Sequence, residues 1–267
     1  MDKSNYMFIV PGLGFGGLEM QTIFRISDAI NLGNEAILIC EKKSRTEEFA
    51  LSNNLPVYSL KQNMKYFDLL YSKKLAKIIS KKNIEICIVS STQSLSQVIL
   101  AKKFARSNTK IILYQHMQSG INKKDIFHDW VYRNIQAAIV ITERMKLELS
   151  QTTNFNQDLI NVIPPGIKTE DFASKNFNKN ECRKLFGLPE NKIIIGSVGR
   201  FDIHKDQLTS IKALSRIENE NIILVFAGNK ELQYIDYFNN LLNLIKELRL
   251  EKRIFIILNP GKSFNTC

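Results

Sequence analysis

Apolar residues in this chain fall into short runs separated by longer stretches in which they recur every three to four positions. The runs 7–10, 36–40, 84–90, 110–115, 138–142, 160–163, 193–198, 222–227 and 253–258 are rich in Ile, Val, Leu and Phe. Near-continuous apolar runs of this length are typical of parallel strands buried on both faces. The stretches 18–32, 66–82, 94–106, 126–136, 143–150, 207–217 and 232–248 read as amphipathic helices. Strands alternating with helices predict βαβ units and an α/β fold with parallel sheets. The rhythm pauses at Pro164-Pro165-Gly166, and 168–191 is polar with short elements only. It resumes at "NKIIIGSVGR", so two domains are expected, 1–165 and 166–267. No internal repeat or low-complexity tract interrupts either.

Composition narrows the class. Hydrophobic residues make up 44% of the chain and charged residues 24%, which supports sizeable cores and excludes a disordered chain. Cysteines at 40, 87, 182 and 267 form no C-x-x-C pair, and scattered thiols of this kind fit a reducing compartment. The opening "MDKSNYMFIVPG" has one lysine and an apolar run broken by Pro11, unlike a signal peptide. No apolar run nears the roughly 20 residues that span a bilayer. A cytoplasmic protein is expected. The net charge of +11 favours phosphate-bearing partners; no nucleic-acid partner is expected.

Three features carry candidate chemistry. The first is Gly12-Leu13-Gly14-Phe15-Gly16-Gly17, a G-x-G-x-x-G between a strand and a helix. Glycines let the backbone approach an anion, and a helix N-terminus offers free N–H groups to it. Glu41, closing the second strand, stands where a ribose-binding acid would make this an NAD(P)-dependent oxidoreductase. Pro11 before the first glycine and Glu19 in the first helical turn weigh against that reading. The second feature is Arg200 and Lys205, two cations on a short strand–helix loop, a pattern that suits a pyrophosphate. The third is His116, at the carboxyl end of "KIILYQH", where ligands bind in open α/β sheets. His128 and His204 read as surface residues. There is no Asp-x-Asp and no His/Cys cluster at zinc spacing, so a metal-free phosphate site and no cofactor are expected.

Several stretches together resemble glycosyltransferase family 4, the retaining enzymes of GT-B fold. "GGLEMQT" (16–22) is similar to the family's first glycine loop, and "VIPPGIKTEDF" (162–172) to its inter-domain segment. "IIIGSVGRFDIHKDQLTSIKAL" (193–214) is similar to the family's Gly-Arg … Lys motif, and "ILVFAGNKE" (223–231) to the strand and glycine turn that follow. "IVITERMKLEL" adds weaker similarity. The resemblance runs from residue 6 to about 255. It implies two Rossmann-like parallel-sheet domains, acceptor-side first and nucleotide-sugar-binding second. It implies donor phosphate binding by Gly16, Gly17, Gly199, Arg200, Lys205 and Gly228, and contact of His116 with the donor sugar. It makes His116, Arg200 and Lys205 the catalytic candidates. The expected reaction moves a sugar from a nucleotide-diphosphate donor to an acceptor hydroxyl with retention, in polysaccharide or glycolipid synthesis.

The family's paired glutamates, seven residues apart in its second domain, have no counterpart here: no glutamate has another eight positions later. The region 166–267 is therefore expected to be an incomplete second domain, and the chain a truncated member, inactive alone or a non-catalytic remnant. Its edge strand 253–258 is expected to lie bare. The helix 66–82 places Lys73, Lys77 and Lys81 on one stripe beside Phe67, Leu70, Leu75, Ile78 and Ile79. A basic amphipathic helix lies on anionic membrane. The expected partners are thus a nucleotide-sugar donor, a glycan or lipid-linked acceptor, and a peripheral contact at the inner face of the cell membrane.

Overall fold

The computed structural model describes residues 3–167, 169, 178–230 and 232–258. The end of the inter-domain motif at Glu170, Asp171 and Phe172, Glu231 in the glycine turn, and the sequence beyond Leu258 lie outside the described residues. The chain divides into two compact units, Met1–Ile167 and Lys168–Cys267.

Unit 1 alternates strand and helix almost throughout: β1 (Asn5–Val10), α1 (Gly17–Asn31), β2 (Glu35–Cys40), α2 (Arg45–Ser52), β3 (Val57–Ser59), α3 (Leu69–Lys81), β4 (Ile86–Val89), α4 (Leu95–Ala105), β5 (Lys110–Gln115), α5 (Ile126–Arg133), β6 (Ala137–Val140), α6 (Glu143–Thr152) and β7 (Ile160–Val162). The seven strands form one parallel sheet in the order β3-β2-β1-β4-β5-β6-β7. The order reverses between β1 and β4, and a sheet of this kind opens a crevice at the carboxyl ends of those strands. Burial on both faces explains the unbroken apolar runs. In β1, Met7 and Ile9 join the core beneath α3 to α6, whereas Phe8 and Val10 join the core beneath α1 and α2.

Two elements depart from the apolar pattern. α2, "RTEEFALS", is a helix because Ser44 caps it, accepting from Glu47 N at 3.1 Å, and acidic residues fill its first turn. The three-residue β3 is short enough to escape a period-two pattern. α3 starts later than expected because the carboxylate of Asp68 caps it, accepting from Tyr71 N at 2.9 Å. Asp68 also takes Asn63 N at 2.8 Å and Met64 N at 3.2 Å, tying down the loop before the helix. Burial alone would raise its pKa; these backbone donors outweigh that and hold it below the ordinary value.

Among its described residues, unit 2 has α7 (Lys179–Leu185), β8 (Ile193–Val198), α8 (Gln207–Ser215), β9 (Ile222–Gly228), α9 (Ile235–Glu247) and β10 (Ile254–Leu258). The three strands are parallel, in the order β10-β9-β8. The core gathers Phe201, Ile211, Leu214, Phe226, Phe238, Leu241 and Ile245 between sheet and helices. β10 is an edge strand with one side unpaired, as expected, but the side chains left bare are those of β8, the opposite edge. Ile193 is 57% exposed, Ile195 46% and Val198 83%, whereas Ile254 of β10 is buried and the next three residues are half-buried. α9 explains the difference, because its apolar face, Phe238, Leu241 and Ile245, packs with Leu250 and Ile254.

Candidate substrate sites in the two units

In unit 2 the site is the loop between β8 and α8. Asp202 organises it from inside. This carboxylate is 1% exposed, and its Oδ1 accepts from His204 N at 2.9 Å and Lys205 N at 3.2 Å. Its Oδ2 lies 3.5 Å from Nη2 of Arg200. One buried acid thus shapes the turn that carries Lys205 and lies within ion-pair range of the Arg200 guanidinium, without a hydrogen bond to it. Gln207 adds a second tie: its Nε2 donates to Arg200 O at 2.9 Å, and its Oε1 accepts from the Tyr237 hydroxyl at 3.0 Å. The stem of Lys205 runs along Gly199, where an added Cβ would meet Lys205 Cε at 3.6 Å. Gly228, at the end of β9, supports the same turn. A Cβ there would fall 1.9 Å from the carbonyl oxygen of Gly199, so only glycine fits. Gly199, Arg200, Lys205 and Gly228 therefore form one cluster, with two cations on a rigid turn.

In unit 1 the site is the crevice at the carboxyl ends of β1, β2, β4 and β5. It holds a cavity of about 600 Å³, lined among others by Gly12, Glu19, Glu41, Ser90, Thr92 and His116. That volume lies within the range of ligand pockets. His116 is half-buried and packs against the ring of Tyr114, 4.0 Å between centroids. Its Nε2 is buried without a hydrogen-bond partner among the described residues. Burial, assisted by the nearby Arg25 guanidinium, lowers its pKa to about 4. The imidazole is therefore neutral near pH 7, which suits a hydrogen bond to a hydroxyl. Arg25 in turn stacks on the Tyr114 ring at 4.5 Å and donates to its hydroxyl.

The glycine loop is a less open anion site than its spacing implies. Gly16 caps α1, but its N–H already donates to the Glu19 carboxylate at 2.8 Å. An acid on the first turn also satisfies the positive end of the helix dipole. Gly17 has open space around it, with nothing within 4 Å of an added Cβ. Glu41 accepts from Gln62 N at 3.3 Å. Of the other histidines, His128 pairs with Asp125 at 2.5 Å, and His204 N is bound by Asp202. Among the described residues no group of three or more His, Cys, Asp or Glu could hold a metal ion.

Sequence reasoning missed Asp202, Gln207, Arg25 and Lys123. The signal for Asp202 was present, an acid two residues after the arginine and just before a turn. Gln207 lies in the same motif, two residues after Lys205, but its tie to Tyr237 spans 30 positions; Arg25 and Lys123 come from a distant helix and loop, and only the fold brings them to the unit 1 site.

A model of Glycosyltransferase Family 4 matches residues 15–171, and one of Glycosyl transferases group 1 matches residues 178–262. The phosphatidylinositol N-acetylglucosaminyltransferase GPI3 subunit of Saccharomyces cerevisiae is 25% identical over 94% of the chain. The chain spans 56% of that relative's length. Among solved structures, a glycosyltransferase from Rickettsia africae superposes with a TM-score of 0.83 at 23% identity, covering 97% of this chain and 69% of that one. Anabaena HepE in complex with UDP superposes with a TM-score of 0.78 at 16% identity, covering 94% and 68%.

Proposed function

The chain belongs to glycosyltransferase family 4, and from that premise we propose that it takes part in transferring a sugar from a uridine diphosphate donor to an acceptor hydroxyl, with retention at the anomeric carbon. The observation that carries this reading is the turn built on Asp202, which presents Arg200 and Lys205 together. The guanidinium and ammonium hold the donor's diphosphate and stabilise the charge that grows on it as the sugar–oxygen bond breaks. The acceptor oxygen bonds to the anomeric carbon from the same face, and its proton passes to the departing phosphate oxygen. Neutral His116 is assigned a hydrogen bond to a substrate hydroxyl. UDP is the proposed nucleotide because HepE binds it and shares the fold. The name of the yeast relative supports a phosphate-bearing lipid as acceptor. The oxidoreductase alternative has no support in the family, and Glu41 is tied to the Gln62 backbone.

Attachment to an anionic membrane fits the same reading. No described helix is long and apolar enough to cross a membrane. On α3, Lys73, Lys77 and Lys81 are exposed, as are Phe67 and Leu70 at its start.

Calorimetric titration tests the donor assignment. Arg200→Ala and Lys205→Ala should each weaken UDP binding about 10- to 150-fold, the worth of a charge-assisted hydrogen bond, with NADH showing no binding. Equal UDP affinity in wild type and both variants would sink the proposal.

A further inference from the structure

We propose that Lys123 and Lys65 form a receptor for a phosphate group carried by the acceptor, inside the unit 1 cavity and separate from the Arg200–Lys205 turn. That the phosphate is the acceptor's rests on the transferase reading above. Both lysines line the cavity. Lys123 is only 9% exposed, an unusual place for an ammonium. Its Nζ has one hydrogen bond, to Thr92 Oγ1 at 3.4 Å, and no carboxylate within 4 Å among the described residues. Three N–H donors with one long contact leave most of the group's bonding capacity unmet.

The position is built, not accidental. Lys123 N donates to Thr152 O at 2.7 Å, at the end of α6. Upstream in the same loop, Ser119 N and Gly120 N donate to Glu148 of α6 at 3.0 and 2.7 Å. The loop is strapped to α6 at both ends, which fixes the backbone from which the Lys123 side chain enters the cavity. Lys65 sits on the loop fixed by Asp68, and its carbonyl accepts from Gln97 Nε2 at 2.8 Å. Burial lowers the Lys123 pKa; the nearby Glu148 carboxylate opposes this, and the Lys65 charge, a smaller effect, lowers it further. Lys65 is exposed, its Nζ 5.3 Å from the centre of the Tyr66 ring, and adds positive charge at the mouth of the cavity. An anion at the buried Lys123 supplies its missing acceptors and is favoured by the Lys65 charge. Ser91, Gln93 and Gln118 line the same cavity as neutral polar neighbours. The carboxylates of Glu19 and Glu41 also line it, but they follow β1 and β2 and are bound to backbone N–H groups. The cavity thus offers cations for a phosphate and carboxylates for sugar or cyclitol hydroxyls.

The experiment is calorimetry on the whole chain with inositol 1-phosphate, inorganic phosphate, free inositol and UDP as probes. Wild type should bind inositol 1-phosphate more tightly than inorganic phosphate, and free inositol hardly at all. Lys123→Met keeps the aliphatic stem and should lose inositol phosphate affinity about 10-fold or more with UDP affinity unchanged. Arg200→Ala should do the reverse. Lys123→Met should melt no lower than wild type, because an apolar residue replaces a buried charge. Unchanged inositol phosphate affinity in Lys123→Met, or no binding by a folded wild type, overturns the proposal. Inorganic phosphate binding as tightly as the ester, or competitive displacement by UDP, removes the acceptor as the source of the phosphate and also overturns it. Absence of UDP binding counts against the transferase reading instead and leaves the Lys123 result standing.

Discussion

A methyl group added at Gly228 would sit 1.9 Å from the carbonyl oxygen of Gly199, against backbone that cannot rotate away. At Gly17 the same methyl group meets nothing within 4 Å. Two glycines that look alike in the sequence therefore have different tasks. Gly228→Ala should destabilise unit 2 by about 1–3 kcal/mol, the usual cost of overpacking, and weaken UDP binding by distorting the turn. Gly17→Ala should melt at or slightly above the wild-type temperature, because alanine favours the first helical turn. Any loss it causes should appear in ligand affinity alone. Thermal unfolding and UDP titration of both variants check the pair, and an unchanged melting temperature for Gly228→Ala would contradict the close approach. The sequence pointed to Gly199, Arg200, Lys205 and Gly228 because motif positions are local. An acid two residues after Arg200 and before a turn also marked Asp202, but its burial, and the tie from Gln207 to Tyr237, were not readable, since a buried polar side chain and a surface one read the same in one dimension.

At the scale of elements, α3 shows how a stripe changes meaning once the fold is known. The apolar residues expected beside the lysines divide: Leu75 and Ile79 are buried in the core, whereas Phe67 is 47% and Leu70 69% exposed. The outer face is therefore basic along its length and apolar only near its start. There Phe67 meets Phe127 at 5.2 Å and Trp130 at 6.1 Å between ring centroids. A groove of about 580 Å³ beside it is lined by Lys73, Lys77, Lys81 and Phe104. Binding through such a face is electrostatic first, with the aromatic end adding area. Each lysine near an anionic surface is worth about 1 kcal/mol. Lys73→Ala with Lys77→Ala should thus reduce co-sedimentation with anionic vesicles roughly 30-fold in partition coefficient. Neutral vesicles should retain little of the wild type, and salt should abolish the difference. Equal partition of wild type into anionic and neutral vesicles at low salt would refute the contact. The helix was legible in the sequence because its period is strong; which apolar residues were free was not, because a buried and an exposed leucine obey the same period.

For the whole molecule, the strand–helix alternation was readable because both faces of the unit 1 sheet are covered, which makes its strands apart from the three-residue β3 largely apolar runs. The same rule misled in unit 2. A parallel strand written for burial on both faces reads identically whether or not neighbours cover it, so the bare strand could not be told from the covered ones. β8 carries that exposure, with Ile193, Ile195 and Val198 open to solvent. Among the described residues both β8 and β10 pair with β9 alone, so each has an edge without a strand partner, but only at β8 is that edge joined to open apolar side chains on this scale. An exposed apolar edge recruits further strands, and a charge placed on it blocks the pairing. The 267-residue chain should therefore self-associate with rising concentration. Ile195→Lys should raise the monomer fraction, because residue 195 is on the bare strand, away from the Phe201 and Phe226 core. UDP affinity should stay within about 2-fold of wild type, since a surface change remote from the turn alters stability by only about 0.5 kcal/mol. Light scattering across a concentration series, run beside UDP titration, reads both quantities. A wild type that remains monomeric throughout would show that the open edge of β8 attracts no strand, and an Ile195→Lys variant that associates as strongly as wild type would move the interface elsewhere.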